Sequence, residues 1–138
     1  MTGEFSHSLD AKGRLFIPVR LREELGPAFY VTISQKQCLN AYSLENWHKF
    51  EEKAAAMSYN KQSMINPLFY FAARCEMDAQ GRILLPQNLR QMRGIEKNVT
   101  ILGANNHAEF WDTDIWNALR ADLCSPENIE KVMQELDF

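Results

Sequence analysis

Two arginines, each four residues after an aspartate, are the side chains best placed to do chemistry in this chain, and the chemistry they suit is recognition of anions. The stretch Asp10-Ala11-Lys12-Gly13-Arg14-Leu15-Phe16-Ile17-Pro18 returns 68 positions later as Asp78-Ala79-Gln80-Gly81-Arg82-Ile83-Leu84-Leu85-Pro86. Downstream, Leu21-Arg22 and Gly26 recur as Leu89-Arg90 and Gly94. A guanidinium stays charged at any working pH, and its planar fork fits a phosphate or the O6 and N7 edge of guanine. Arg14 therefore has two readings. It pairs with Asp10 across the turn and holds it shut, or it projects from the turn edge to a phosphate or a base. The two are compatible, because a rigid turn presents its basic residues better.

Other chemistries are poorly supplied. His7, His48 and His107 have no local nucleophile and no metal-ligand partner at useful spacing. Asp-Ala-Lys-Gly-Arg lacks the spacing of a phosphate loop and does not precede a long helix. Asp10 and Asp78 could be imagined as paired acid and base, but Gly13 and Gly81 three residues on mark all four as turn-stabilising residues. The chain reads as a non-enzyme, with no metal, no cofactor and no small-molecule substrate. Cys38, Cys75 and Cys124 are odd in number and lack C-x-x-C spacing, which suits reduced thiols in the cytoplasm. No apolar run approaches a membrane span, and no signal peptide is evident.

The elements that must position these residues follow from apolar spacing. Each copy reads as strand, tight turn, strand and short helix, with Pro18 or Pro86 at the helix start and Gly26-Pro27 as the first stop. Phe29 to Ser34 alternates as a strand, and Leu39 to Tyr42 is its antiparallel partner. Ser43 then caps a helix from Leu44 to about Met57, with Leu44, Trp47, Phe50 and Ala54 inward. In the second half, Val99 to Leu102 matches Val31 to Ser34 at an offset of 68, and His107 to Trp111 matches Cys38 to Tyr42 at 69, so that hairpin gains one residue. Asp112 takes the capping place of Ser43. Trp116 lands on Trp47, and both are expected as core anchors.

The segment Asn60 to Ala73 is a linker, helical before Pro67 and extended after it. Ser125-Pro126-Glu127 opens a terminal helix whose apolar stripe is Ile129, Val132, Met133 and Leu136. Two independent halves of this length would be marginal, so a shared core is expected. The domain reading is a first repeat over 3–50, a linker over 51–70, a second repeat over 71–119 and a C-terminal helical tail over 120–138.

Net charge is −3, which alone does not suggest nucleic acid. Its distribution does. From Glu109 onward acids dominate, with Arg120 and Lys131 the only bases, and the rest of the chain is net positive. Lys12, Arg14, Arg20 and Arg22 cluster at the first copy; Arg82, Arg90 and Arg93 cluster at the second. Phosphate affinity depends on the local field, so an acidic tail is no bar to DNA binding.

These residues resemble the MraZ family, built from two SpoVT/AbrB-type domains in tandem. The paired D-x-x-x-R signature is met by Asp10 to Arg14 and Asp78 to Arg82. Gly3-Glu4-Phe5, Cys75-Glu76-Met77, Ile101-Leu102-Gly103 and Glu109-Phe110-Trp111-Asp112 are similar as well, and the likeness runs from about Gly3 to Trp116. The chain departs from the pattern at Gln80, where the first copy has Lys12, and at Asn66-Pro67, where a continuous helix would be expected. The resemblance implies a β-rich fold, all-β to α+β. It would be a double-split β-barrel in which the repeats swap hairpins about a pseudo-twofold axis, with short helices and a C-terminal helix. It implies a sequence-specific transcriptional regulator on double-stranded DNA. The sites would be direct repeats in the promoter of the bacterial division and cell-wall gene cluster. The protein would be a homo-oligomeric ring, cytoplasmic and on the nucleoid. Lys12, Arg14, Arg20, Arg22, Arg82 and Arg90 would touch DNA. An antitoxin of AbrB type, which binds a toxin and its own promoter, is the alternative. A structural ring without a DNA role stays open as well.

Overall fold

Every element of the first half has a counterpart in the second, and the halves interlock. The computed structural model describes residues 1–138, which begin β1 (Glu4–Ser8), β2 (Arg14–Phe16), α1 (Val19–Leu25), β3 (Ala28–Ile33), β4 (Leu39–Ser43), α2 (Leu44–Ala55) and α3 (Tyr59–Tyr70). The second half runs β5 (Ala73–Glu76), β6 (Arg82–Leu84), α4 (Gln87–Met92), β7 (Asn98–Gly103), β8 (Ala108–Asp112) and α5 (Thr113–Leu123), and α6 (Pro126–Glu135) follows. The fold is strand-rich α+β with a C-terminal helix.

β1 leaves its own half to pair with β7, and β5 pairs with β3. One antiparallel sheet results, in the order β1-β7-β8-β4-β3-β5. β2 and β6 form a separate antiparallel ribbon. A pseudo-twofold axis passes through both: Leu15 faces Ile83 in the ribbon, and Asn40 faces Glu109 between β4 and β8. The strands are exchanged between halves as the resemblance implied. The large sheet nonetheless keeps two edges, β1 and β5, and does not close into a barrel. The ribbon covers the opening instead, β2 packing against β1 and β6 against β5.

The main hydrophobic cluster joins the halves, and a smaller one of Cys38, Trp111 and Trp116 does so as well. In the main cluster Leu15, Leu21, Phe29 and Val31 pack with Ile83, Leu89, Val99 and Ile101. Burial of this kind gives about 25 cal/mol per Å² of apolar surface, and neither half owns enough of it alone.

Backbone register corrects the expected alignment of the halves. The Leu9 N–H donates to the Lys97 carbonyl, and the Met77 N–H donates to the Pro27 carbonyl, so Lys97 is the counterpart of Pro27, at an offset of 70. Leu25 and Ile95 fill matching core positions. The second half therefore carries two extra residues between α4 and β7. Its next loop, Ala104 to His107, is one residue shorter than Ser34 to Cys38, where one residue longer was expected. The physical reason is that Val-Thr-Ile stands in both strands, at Val31 and at Val99, and a two-residue slip keeps every side chain on its own face.

Two further expectations change. α3 does not stop before Pro67 but continues through it to Tyr70. A proline inside a helix forfeits a hydrogen bond. Here tertiary contacts hold the segment: the Thr32 hydroxyl donates to the Leu68 carbonyl at 2.5 Å, and Phe69 packs on Trp47 and Phe50. Leu44, expected inward, is exposed, whereas Trp47 and Ala54 are buried. The caps lie where the sequence places them. Ser43, Asp112 and Ser125 accept from the backbone N–H of Asn46, Ile115 and Asn128. α2 runs through the 50/51 position and α5 through 119/120.

Candidate nucleic-acid interface

The two turns are built alike. Asp10 Oδ1 accepts from the backbone N–H groups of Lys12 and Arg14, both at 2.9 Å, and Asp10 Oδ2 accepts from Arg14 Nε at 2.6 Å. Asp78 repeats this with Gln80, Arg82 and Arg82 Nε, all at 2.9 Å. Both carboxyls fall below their ordinary values, Asp10 to about 2, chiefly because the backbone N–H of Arg14 or Arg82 bonds the ionised form. Gly13 and Gly81 close the turns at φ of +80° and +79°, a region that favours glycine.

The arginines thus hold their turns shut and still reach solvent. Arg14 spends Nε on Asp10, and its two Nη groups make no hydrogen bond within the protein. Arg82 does the same with Asp78 and adds a longer ion pair with Asp10, 3.8 Å from Nη1. Their side chains are 32% and 28% exposed, so neither is walled in. Leu15 and Ile83 turn into the core, which leaves Arg14, Phe16, Arg82 and Leu84 on the outer face of the ribbon. A two-stranded ribbon is one of the elements the DNA major groove admits.

Arg22 and Arg90 have a different place from Arg14 and Arg82. Arg22 Nε donates to the Ile17 carbonyl at 2.7 Å, and its guanidinium lies 4.6 Å over the Phe16 ring, against Gly81 of the other half. Arg90 Nε donates to the Leu85 carbonyl at 3.0 Å and lies against Gly13. Each buttresses the opposite turn. Arg20, on α1, and Lys12 are exposed, with no ion pair. The ribbon and the crossed arginines therefore bring Lys12, Arg14, Arg82, Arg22 and Arg90 to one end of the molecule. Arg93, also noted in the sequence, bonds the Ser34 carbonyl. Sequence reasoning missed Lys97, which lines a cleft with Lys12 and Arg90. The spacing signal that would have found it was hidden by the repeated Val-Thr-Ile.

Gly81→Ala tests this packing. A Cβ there would lie 2.1 Å from Arg22 Cζ, on a backbone at φ +79°. The φ alone costs about 1–2 kcal/mol, and Arg22 must also leave Phe16. The expected outcome is a lower urea midpoint at unchanged m-value, with Gly26→Ala as the comparison, since its Cβ meets nothing closer than 3.8 Å.

The comparisons agree with one another. A family sequence model described as "MraZ protein, putative antitoxin-like" matches residues 1–65 and 68–137. A protein of Carboxydothermus hydrogenoformans named transcriptional regulator MraZ is 43% identical over 118 residues, covering 83% of this chain and 82% of that one. Proteins of the same name from Acetivibrio thermocellus and Heliobacterium modesticaldum are 42% and 40% identical, over 97% and 99% of this chain and 96% of each of theirs.

Proposed function

This chain belongs to the MraZ family, and from that membership together with its geometry we infer that it is a DNA-binding transcriptional regulator and not an enzyme. The finer reading is that it recognises direct repeats in the promoter of a division and cell-wall gene cluster that includes its own gene. It acts there as a closed homo-oligomer, on the nucleoid. The observation that carries the reading is the outer face of the β2–β6 ribbon, where Asp10 and Asp78 set Arg14, whose Nη groups are free, and Arg82, whose Nη1 keeps only a long 3.8 Å ion pair with Asp10. In this assignment Arg14 and Arg82 approach base edges, Lys12 and Arg20 approach phosphates, and Arg22 and Arg90 hold the turns while offering Nη groups to the backbone. Several subunits on one assembly would engage successive repeats, so weak single contacts gain from effective concentration.

Footprinting on the DNA upstream of its own gene tests this. Protected tracts at regular spacing are expected, with affinity falling steeply as salt rises. Absent protection, or binding indifferent to salt, counts against it.

A second reading draws on the C-terminal helix. α6 leaves Ile129, Val132 and Leu136 exposed beside Glu127, Glu130 and Glu135, as a toxin-binding antitoxin segment would. Co-purification of a small toxin with the intact chain, abolished by Val132→Asp, is its expected result.

A further inference from the structure

We propose that the cleft beside the first turn is a phosphate-binding slot with no counterpart at the second turn, so that each protomer lies on the duplex in one direction. The inference rests on the DNA-binding reading above. The cleft, of about 570 Å³, is walled by Leu9 to Gly13 on one side and by Gln87, Arg90, Glu96 and Lys97 on the other. Lys12 and Lys97 are exposed and unpaired, and Arg90 is fixed by its bond to Leu85. Of the two acids on the wall, Asp10 is committed to Arg14, which leaves Glu96 as the one opposing charge.

The pseudo-twofold axis keeps the arginine and the turn but replaces both lysines. Gln80 stands for Lys12, Arg22 for Arg90 and Val19 for Gln87. The matching hydrogen bonds from Leu9 and Met77 put Pro27 where the first turn has Lys97. Between α1 and α4 the one added cation is Arg20, on α1, whose counterpart on α4, Asn88, lies outside the cleft wall. Its charge sits on the helix, whereas the first turn's charges stand on the turn and the strand entry. The two residues inserted after α4 are the structural cause, because they carry Lys97 to its place. The ribbon face differs too. Leu84 beside Arg14 is 62% exposed, while its counterpart Phe16 lies under His7 and Arg22. The pseudo-symmetric molecule thus presents two unlike halves to DNA.

Two measurements on the full chain test this. Lys12→Gln and Lys97→Gln, with Arg20→Gln for the other side, are titrated against the upstream DNA over a salt series. Each lysine variant is expected to bind several-fold more weakly on specific and random DNA alike. The slope of log K against log salt should shrink by about 1 for each phosphate that is no longer neutralised. An iron chelate is then placed on Ala11→Cys or Ala79→Cys in a Cys124→Ser background, and cleavage is mapped. Docking in one direction gives separate cleavage patterns from the two turns. Superimposed patterns, or wild-type salt slopes in both lysine variants, overturn the slot while leaving DNA binding in place. If the unsubstituted protein fails to bind, the DNA reading falls and the slot with it.

Discussion

Arg14→Ala is expected to weaken binding to the upstream DNA by about 10- to 100-fold, the discrimination that one bidentate pairing with a base supplies, while the protein stays folded. The two effects separate because the proposed assignment gives Arg14 two jobs of unequal weight. Its ion pair with Asp10 is about one-third exposed, and exposed pairs add little to stability. Asp10 also keeps its bonds from the backbone N–H groups of Lys12 and Arg14, which any side chain at position 14 leaves intact. The turn therefore survives. The loss falls on the two Nη groups, which have no partner in the protein. Arg14→Lys should recover part of the non-specific affinity and little of the specific part, since lysine restores the charge without the fork. Circular dichroism melts beside equilibrium binding on specific and random DNA check all three outcomes.

Leu15→Ala should do the reverse and remove stability at its source. Leu15 is fully buried on the pseudo-twofold axis, opposite Ile83, in a ribbon only three residues long per strand. Truncating a buried leucine costs about 2–5 kcal/mol, through reduced burial and the cavity left behind. A position where both halves meet has little freedom to collapse around the gap. Native stabilities are of the order of 5–15 kcal/mol, so a cooperative unfolding transition should move far toward lower urea. DNA binding should fall in step with the folded fraction. Ile83→Val removes one methylene at the facing position and should cost about 0.5–1.5 kcal/mol. A small Leu15→Ala effect would mean that the ribbon is not part of the shared core.

The local features of this fold were legible in the sequence because they are short-range chemistry. Aspartate with glycine three residues on specifies the turn, and Ser43, Asp112 and Ser125 specify helix starts. The recurrence of the whole unit pointed to two interlocked halves. What the sequence concealed is long-range. Val-Thr-Ile in both β3 and β7 made a two-residue slip invisible, and with it Lys97 and its cleft. The helix across Pro67 depends on Thr32 and Trp47, which are distant in sequence. Arg22 and Arg90 look like free cations in a linear reading, and only the crossing of the halves sets each beneath the other's turn. Whether the sheet closes was undecidable from strand count alone.

The central claim is that one end of the molecule, the β2–β6 ribbon, reads DNA through Arg14 and Arg82 together. Its most direct test is a titration of the Arg14→Ala/Arg82→Ala double variant beside the unsubstituted protein, on the upstream DNA at one salt concentration. Specific binding abolished in a variant that melts with the parent is the result this account predicts. A double variant that binds as tightly and as selectively as the parent would contradict it.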